Sequence, residues 1–218
     1  MASINQMAPE LELDQWVQGE GGLLAAQLGN VVLIEVFQVN CPGCFIAGLP
    51  EAIEVYNQFQ GQPVVVWGMA TGFEDFDKNN LDNLQRLLSS GEVIGDTLSS
   101  LGEAHMLNHN CLQYEIPFPV AWDRLLPTDG KHTEESIQKI IARDIPNFDR
   151  LPENTQDMLK SQIQDYFQKK KYSAATFDRY ELRGTPSSIL IDKKGVLREK
   201  LFGSGLGLEN YVTQLLDE

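Results

Sequence analysis

Apolar positions along the chain fall into distinct kinds of run, and each kind predicts a different element. Val31 to Val36 and Val64 to Met69 are nearly continuous and rich in β-branched residues, the pattern of central strands buried on both faces. Between them Ile46, Leu49, Ile53 and Tyr56 recur at three- and four-residue spacing, which predicts a helix to about Phe59, kinked at Pro50. Gly61-Gln62-Pro63 breaks the chain before the second strand. Strand, helix and strand in this order predict a right-handed parallel βαβ unit. Upstream, weak alternation from Ala8 to Asp14, followed by Gly19, Gly21 and Gly22, predicts a short strand or hairpin as an N-terminal extension.

Downstream, Leu81, Leu84, Leu87 and Leu88 form one helical stripe, and Val93, Ile94, Leu98 and Leu101 form another. Ile116 to Asp123 reads as extended, because Pro117 and Pro119 each push the preceding residue out of helical space. Two amphipathic stretches, Glu134 to Ile145 and Glu153 to Phe167, lie in what reads as a helical insertion over 127–172. Ser187 to Asp192 and Val196 to Phe202, joined by Lys193-Lys194-Gly195, predict an antiparallel hairpin, and Leu208 to Leu216 a terminal helix. Gly203-Ser204-Gly205-Leu206-Gly207 follows a late strand instead of opening a βαβ unit, so it reads as a flexible exit and not a nucleotide loop. Phe73, Phe76 and Trp122 read as core, and His132 as a solvated loop residue.

Composition narrows the function classes. A chain of 218 residues, 42% hydrophobic and 22% charged, can bury one sizeable core without disulfide or metal staples. Lys and Arg number 17 against 31 Asp and Glu, a net charge of −14 that suits neither phosphate backbones nor anionic lipid. Nucleic acid and membrane surface are therefore not expected partners. The insertion holds eight basic and eight acidic residues, which leaves 9 against 23 elsewhere, so the acidity belongs to the core domain. No apolar run approaches the ~20 residues of a membrane span. The segment MASINQMAPELEL carries no basic n-region and no apolar h-region, and with only three cysteines the expected location is the cytoplasm, or an exported compartment if a leader has been removed.

One motif carries chemistry. Cys41-Pro42-Gly43-Cys44 sits between a buried strand and the first turn of a helix. There, unpaired backbone N–H groups and the helix dipole favour a thiolate and lower the pKa of the first cysteine below the free value of ~8.5. Cys41 is the expected nucleophile and Cys44 the less exposed resolving thiol, two residues being enough for them to meet within one turn. Pro42 suits a helix opening, where it loses no hydrogen bond. The competing reading is half of a structural zinc site, completed by His105, His109 and Cys111; a purely structural disulfide is a third. A CxxC beside a βαβ pattern reads first as a redox pair, with no metal and no bound cofactor beyond the disulfide itself.

These residues carry a resemblance. The strand ending in CPGC, the proline soon after it, and Gly184-Thr185-Pro186-Ser187 leading into Ser188-Ile189-Leu190-Ile191-Asp192-Lys193-Lys194-Gly195 resemble the thioredoxin superfamily. Ala8-Pro9-Glu10-Leu11 and the Gly-Thr-Pro-hydrophobic-Asp-x-x-Gly run are most similar to its TlpA-like and redoxin (peroxiredoxin-related) branch. The resemblance covers about Ala8 to Phe76, Ile116 to Asp123 and Tyr180 to the end. It implies an α/β fold with a central mixed sheet flanked by helices, and a thiol-disulfide oxidoreductase working by mixed-disulfide exchange. By position, Pro186 would be a cis-proline facing the disulfide, with an ordinary trans turn proline as the alternative. The backbone of Thr185 would pair with an extended substrate segment beside Pro42 and Gly43. Glu35, six residues before Cys41, falls where thioredoxins keep a buried acid that shuttles a proton to the resolving cysteine; a side chain reaching solvent at the strand's edge is the other reading.

The chain departs from the family at Asn40, where thioredoxins usually carry Trp, and in the order Pro42-Gly43, so the direction of electron flow stays open. Peroxiredoxins place Thr or Ser three residues before the reactive cysteine and Pro seven before it; Gln38 and Ile34 stand there instead, which disfavours a thiol peroxidase. Cys111 reads as a second resolving thiol or as a small buried apolar residue. The expected substrates are protein or small-molecule disulfides or thiols, served by an upstream redox partner. The alternative from outside enzymology is a scaffold module that uses its insertion to hold a partner.

Overall fold

The computed structural model describes residues 1–129 and 133–218, so His132 lies outside the described residues. They form two compact units, Met1–Leu125 with Ala174–Glu218, and Leu126–Ser173. The chain runs through β1 (Leu13–Gln18), β2 (Val31–Phe37), α1 (Leu49–Gln58), β3 (Val64–Ala70), α2 (Leu81–Ser90), α3 (Gly95–Glu103), a small hairpin of β4 (Leu107–Asn108) and β5 (Cys111–Leu112), and β6 (Val120–Asp123). The second unit is entered by β7 (Leu125–Pro127), holds α4 (Glu134–Asp144) and α5 (Glu153–Lys169), and is left by β8 (Tyr172–Ala174), which pairs with β7. Then α6 (Ala175–Arg179), β9 (Ser187–Ile191), β10 (Leu197–Phe202) and α7 (Leu208–Asp217) complete the first unit.

Six strands make one mixed sheet in the order β1-β6-β3-β2-β9-β10. β3 is parallel to β2 and β6, while β1, β9 and β10 run antiparallel to their neighbours. All seven residues of β2 are buried, because both faces of the sheet are covered. Val31, Leu33 and Phe37 face a core that includes Leu49 and Val55 of α1 and Val212 of α7. Val32, Ile34 and Val36 face the opposite core, with Trp67, Met69, Phe177 and Tyr180. The alternation of Cβ atoms along a strand makes both sets apolar, which is why the sequence shows one unbroken run. The second unit has a core of its own, built on Ile137, Ile141, Phe148 and Ile163.

Three sequence expectations shift. The first strand is Leu13–Gln18, later than the alternation from Ala8 suggested. Pro9 has no N–H to give a ladder, and Glu10 is used instead to accept from the backbone of Leu24 and Ala25, each at 2.8 Å. Val93 and Ile94 precede α3 instead of lying within it. The helix after the cysteines does not simply kink at Pro50: residues Cys44–Gly48 form a π-helical turn and α1 begins at Leu49, so Pro50 sits in a first turn, where a missing N–H breaks no bond. In a π turn the carbonyl of Phe45 would look to residue 50 for its donor. Proline has none, and the Tyr114 hydroxyl donates to Phe45 O at 2.8 Å instead.

The glycine-rich exit before α7 is held by a specific partner. Both carboxylate oxygens of Glu51, on α1, accept from backbone N–H groups: Oε2 from Gly205 at 3.0 Å and Leu206 at 3.3 Å, Oε1 from Gly207 at 2.6 Å and Leu208 at 3.0 Å. Gly203, Gly205 and Gly207 all have positive φ, which turns these donors toward one anion. The segment is therefore not the flexible exit its glycines suggested: its backbone nest is filled by the protein's own carboxylate, which ties α7 to α1. Replacing Glu51 with Ala should lower stability by about 2 kcal/mol or more, the range for charge-assisted hydrogen bonds. Urea denaturation reads this directly, and an unchanged midpoint would mean that water replaces the carboxylate at no cost.

Candidate active site

β2 delivers the chain to the site. After Phe37 the residues Gln38, Val39 and Asn40 stay buried, and Cys41 is the first of the run to reach the surface. Cys41 and Cys44 are joined as a disulfide, with Cα atoms 5.4 Å apart. The two sulfurs are not equivalent, since Cys41 is half-buried and Cys44 has no exposed surface. Both lie at the start of the helical segment that continues into α1.

The loop before β9 closes over this pair. The Thr185 carbonyl oxygen is 3.6 Å from Cys41 Sγ. The Thr185–Pro186 peptide is cis. Pro186 lies against the turn itself: a Cβ added at Gly43 would be 3.7 Å from Pro186 Cδ, and one at Gly48 only 2.7 Å from Pro186 Cβ. Gly48 is also where Glu35 arrives, because the same added Cβ would lie 2.6 Å from Glu35 Oε1. No other residue type fits between the carboxylate and the proline.

Glu35 is buried in the middle of the sheet, opposite Gly68 of β3 and Ser188 of β9, so it does not reach solvent at a strand edge. Its Oε2 accepts from Ser188 Oγ at 2.7 Å, and its Oε1 has no hydrogen-bond partner. Burial away from water pushes the carboxyl from the usual 4.5 up to about 8; the Ser188 hydrogen bond opposes this, and the negative charge of Glu51 adds to it.

Four residues of the site carried no role in the sequence reading. Ser188 is the partner of Glu35. Gln38 is 1% exposed, its Oε1 accepts from Thr185 Oγ1 at 3.2 Å, and its Nε2 is unpartnered. Asn40 replaces the expected Trp with a hub. Its backbone N–H donates to Asn79 Oδ1 at 2.8 Å, its Nδ2 to Asp75 and Asp96 at 3.1 Å each, and its Oδ1 accepts from the backbone of Asp96 at 2.7 Å. Tyr114 holds the π turn. The one available signal was polarity, since Gln38 and Asn40 interrupt an apolar stretch immediately before a reactive cysteine. Cys111 is half-buried in β5, and among the described residues no three His, Cys, Asp or Glu side chains gather as a metal site.

No protein-family profile matches the chain, and no curated protein sequence does. Solved structures do. A crystal structure described as a thioredoxin-like superfamily protein is 28% identical with a TM-score of 0.59, and the similarity covers 98% of this chain and 97% of that one. The chain has a thioredoxin-like fold. A thiol-disulfide isomerase from Corynebacterium glutamicum is 26% identical, with a TM-score of 0.58 over the same 98% and 97%. The thioredoxin domain of a thiol-disulfide oxidoreductase from Bacteroides vulgatus, 14% identical with a TM-score of 0.50 over 99% of both chains, shares the fold. At this coverage the similarity of the thioredoxin-like chain runs through its second unit as well as its first.

The raised pKa of Glu35 fixes a pH dependence. With 4.5 unfolded and about 8 folded, the folded state binds more protons between those values. The group's contribution to stability is then fully present below about 4.5 and is lost as pH rises to about 8. Glu35→Gln, which stays neutral, should therefore gain stability over the wild type progressively across that window. Urea unfolding at a series of pH values measures the gap, and a gap that does not change with pH would contradict the buried, protonated Glu35.

Proposed function

We propose that the protein is a thiol-disulfide oxidoreductase in which Cys41 attacks and Cys44 resolves. The observation that carries this reading is the unequal exposure of two bonded sulfurs at the start of a helix, with the Thr185 carbonyl beside the outer one. Neighbours of similar fold bear thiol-disulfide isomerase and oxidoreductase names, which supports the same general chemistry.

In the reduced protein the Cys41 thiolate attacks one sulfur of a substrate disulfide. A Cys41–substrate S–S bond forms, the substrate S–S bond breaks, and the departing thiolate takes a proton. Cys44 then loses its proton, attacks Cys41 Sγ and expels the second substrate thiolate. The Cys41–Cys44 disulfide holds the two electrons' worth of oxidation, and the substrate leaves as a dithiol. The reverse sequence oxidises a substrate dithiol. Glu35 suits the proton step at Cys44, being buried, with an acidity constant near neutrality and one carboxylate oxygen free. Pro42 and Gly43 follow Cys41 in the chain, Pro186 lies beside Gly43, and Thr185, with its carbonyl by the Cys41 sulfur, offers the backbone edge on which an extended substrate would pair.

No bound cofactor enters these steps, only an upstream redox partner that supplies or removes electrons; on the low cysteine count the cytoplasm is the proposed site of action. Within the superfamily the TlpA-like and redoxin branch is the proposed assignment, on the sequence features of the amino terminus and the Thr185–Gly195 run. Gln38 gives the peroxidase alternative no support: position 38 carries no hydroxyl, and the Gln38 Oε1 accepts from Thr185 Oγ1.

Trapping tests the assignment of roles. Reduced Cys44→Ser protein, mixed with a peptide disulfide, should accumulate a mixed disulfide on Cys41 that mass spectrometry locates. Cys41→Ser should accumulate none, and Cys111→Ser should turn over as the wild type does. An adduct on Cys44 or Cys111, or no adduct in any variant, would overturn the reading.

A further inference from the structure

Gln38 has no stability argument in its favour. It is the first residue after β2, in a stretch from Val31 to Asn40 that is buried throughout, and its own side chain is 1% exposed. One end of its amide makes a single hydrogen bond, Oε1 accepting from Thr185 Oγ1 at 3.2 Å, and the other end, Nε2, makes none. Leaving a buried amide nitrogen without an acceptor costs stability, whereas an apolar side chain of the same length would fill the space without that cost. What Gln38 does hold is Thr185.

That contact lies in a particular place. Several contacts fix the flanks of the 184–186 loop. Gly184 lies under the Phe202 ring, where an added Cβ would be 2.7 Å from a ring carbon. The Gly184 carbonyl accepts from Ser187 Oγ at 2.7 Å, and the Pro186 carbonyl accepts from the Gly203 N–H at 3.0 Å. Pro186 is wedged against Gly48. Between these anchors the Thr185 side chain points to Gln38, while its carbonyl faces Cys41 Sγ at 3.6 Å. Gln38 and Cys41 thus bracket Thr185 from the two ends of one short turn.

We propose that Gln38 is a positioning residue: through Thr185 Oγ1 it fixes the backbone edge beside Cys41, and so favours peptide disulfides, which can pair with that edge, over small disulfides that have no backbone to pair. The inference rests on the exchange reading above and adds to it the substrate class and the residue that sets it. Holding the edge in its binding geometry before substrate arrives lowers the ordering cost of pairing, so the effect falls on substrate binding more than on the sulfur chemistry.

The test compares two oxidants of the reduced protein, an extended peptide disulfide and bis(2-hydroxyethyl) disulfide, in wild type, Gln38→Met, Thr185→Val and the double variant. Gln38→Met should lose about tenfold more kcat/KM on the peptide than on the small disulfide, chiefly as a rise in KM, while its melting temperature is equal to or above that of the wild type. Thr185→Val should give the same pattern, and the double variant no further loss, since one contact is removed twice. Equal losses on both disulfides, losses that add in the double variant, or a drop in melting temperature matched by the loss of activity would overturn the role of Gln38. A wild type that exchanges with neither disulfide would instead overturn the exchange reading, and this inference with it.

Discussion

The structure depends on one strand that has no solvent-facing side. β2 is buried on both faces, between β3 and β9, and everything reactive is attached to its end or rests on its flank. A strand covered on both faces can carry a carboxylic acid only at a cost in desolvation, and Glu35 meets that cost by holding a proton near neutral pH and accepting from Ser188. Because Glu35 points to the α1 side of the sheet, the turn that follows the cysteines must pass it closely. Gly48 provides the room, and Pro186 closes the same gap from the other side. The acid, the proline and the cysteine turn are therefore one packing problem with a single solution, and a side chain at position 48 would separate all three.

The turn itself shows how a local irregularity is stabilised from a distance. Five residues in π geometry insert an extra residue just after Cys44, which lets Pro50 fall in the first turn of α1 but leaves the Phe45 carbonyl without a helical donor. Tyr114 supplies one from the segment after β5, and Asn40 ties the residue before Cys41 to Asp75, Asn79 and Asp96. Glu51, on the same helix, fills the backbone nest ahead of α7. The cysteine turn is thus held from several separate parts of the chain. Such support suits a group whose bonding changes between a disulfide and two thiols while its surroundings stay fixed.

How much of this the sequence discloses follows from the range of each interaction. β2 and β3 are legible because burial on both faces leaves a continuous apolar run, and the β9–β10 hairpin because its turn residues stand between two such runs. The cysteine pair is legible because its chemistry needs a fixed short spacing. Those parts alone give a βαβ unit and a hairpin; the fold class, a mixed sheet flanked by helices in a thioredoxin-like arrangement, is what the resemblance carried by the cysteine motif and the Gly184–Gly195 run implies. The π turn was read as a kink, since an inserted residue shifts an apolar period by one position, which a single proline mimics. β4 and β5, two residues each, and α6, with five, are too short to show any period. Contacts such as Gln38 with Thr185, Glu35 with Ser188 and Asn40 with Asp96 join residues far apart in the chain and leave no local pattern. Polarity in a buried stretch is their one trace, and it marks the residue without naming its partner.

The account's central claim is that Cys41 and Cys44 form a two-electron redox couple in a site built around them. Equilibrating the protein in glutathione buffers of graded potential, and following the disulfide by alkylation, tests it most directly. The account predicts one reversible transition with the slope of a two-electron couple, about 30 mV per tenfold change in the equilibrium constant. That transition should be abolished by Cys41→Ser or Cys44→Ser and left in place by Cys111→Ser. A pair that never changes state across the whole range, or a transition that depends on Cys111, would contradict it.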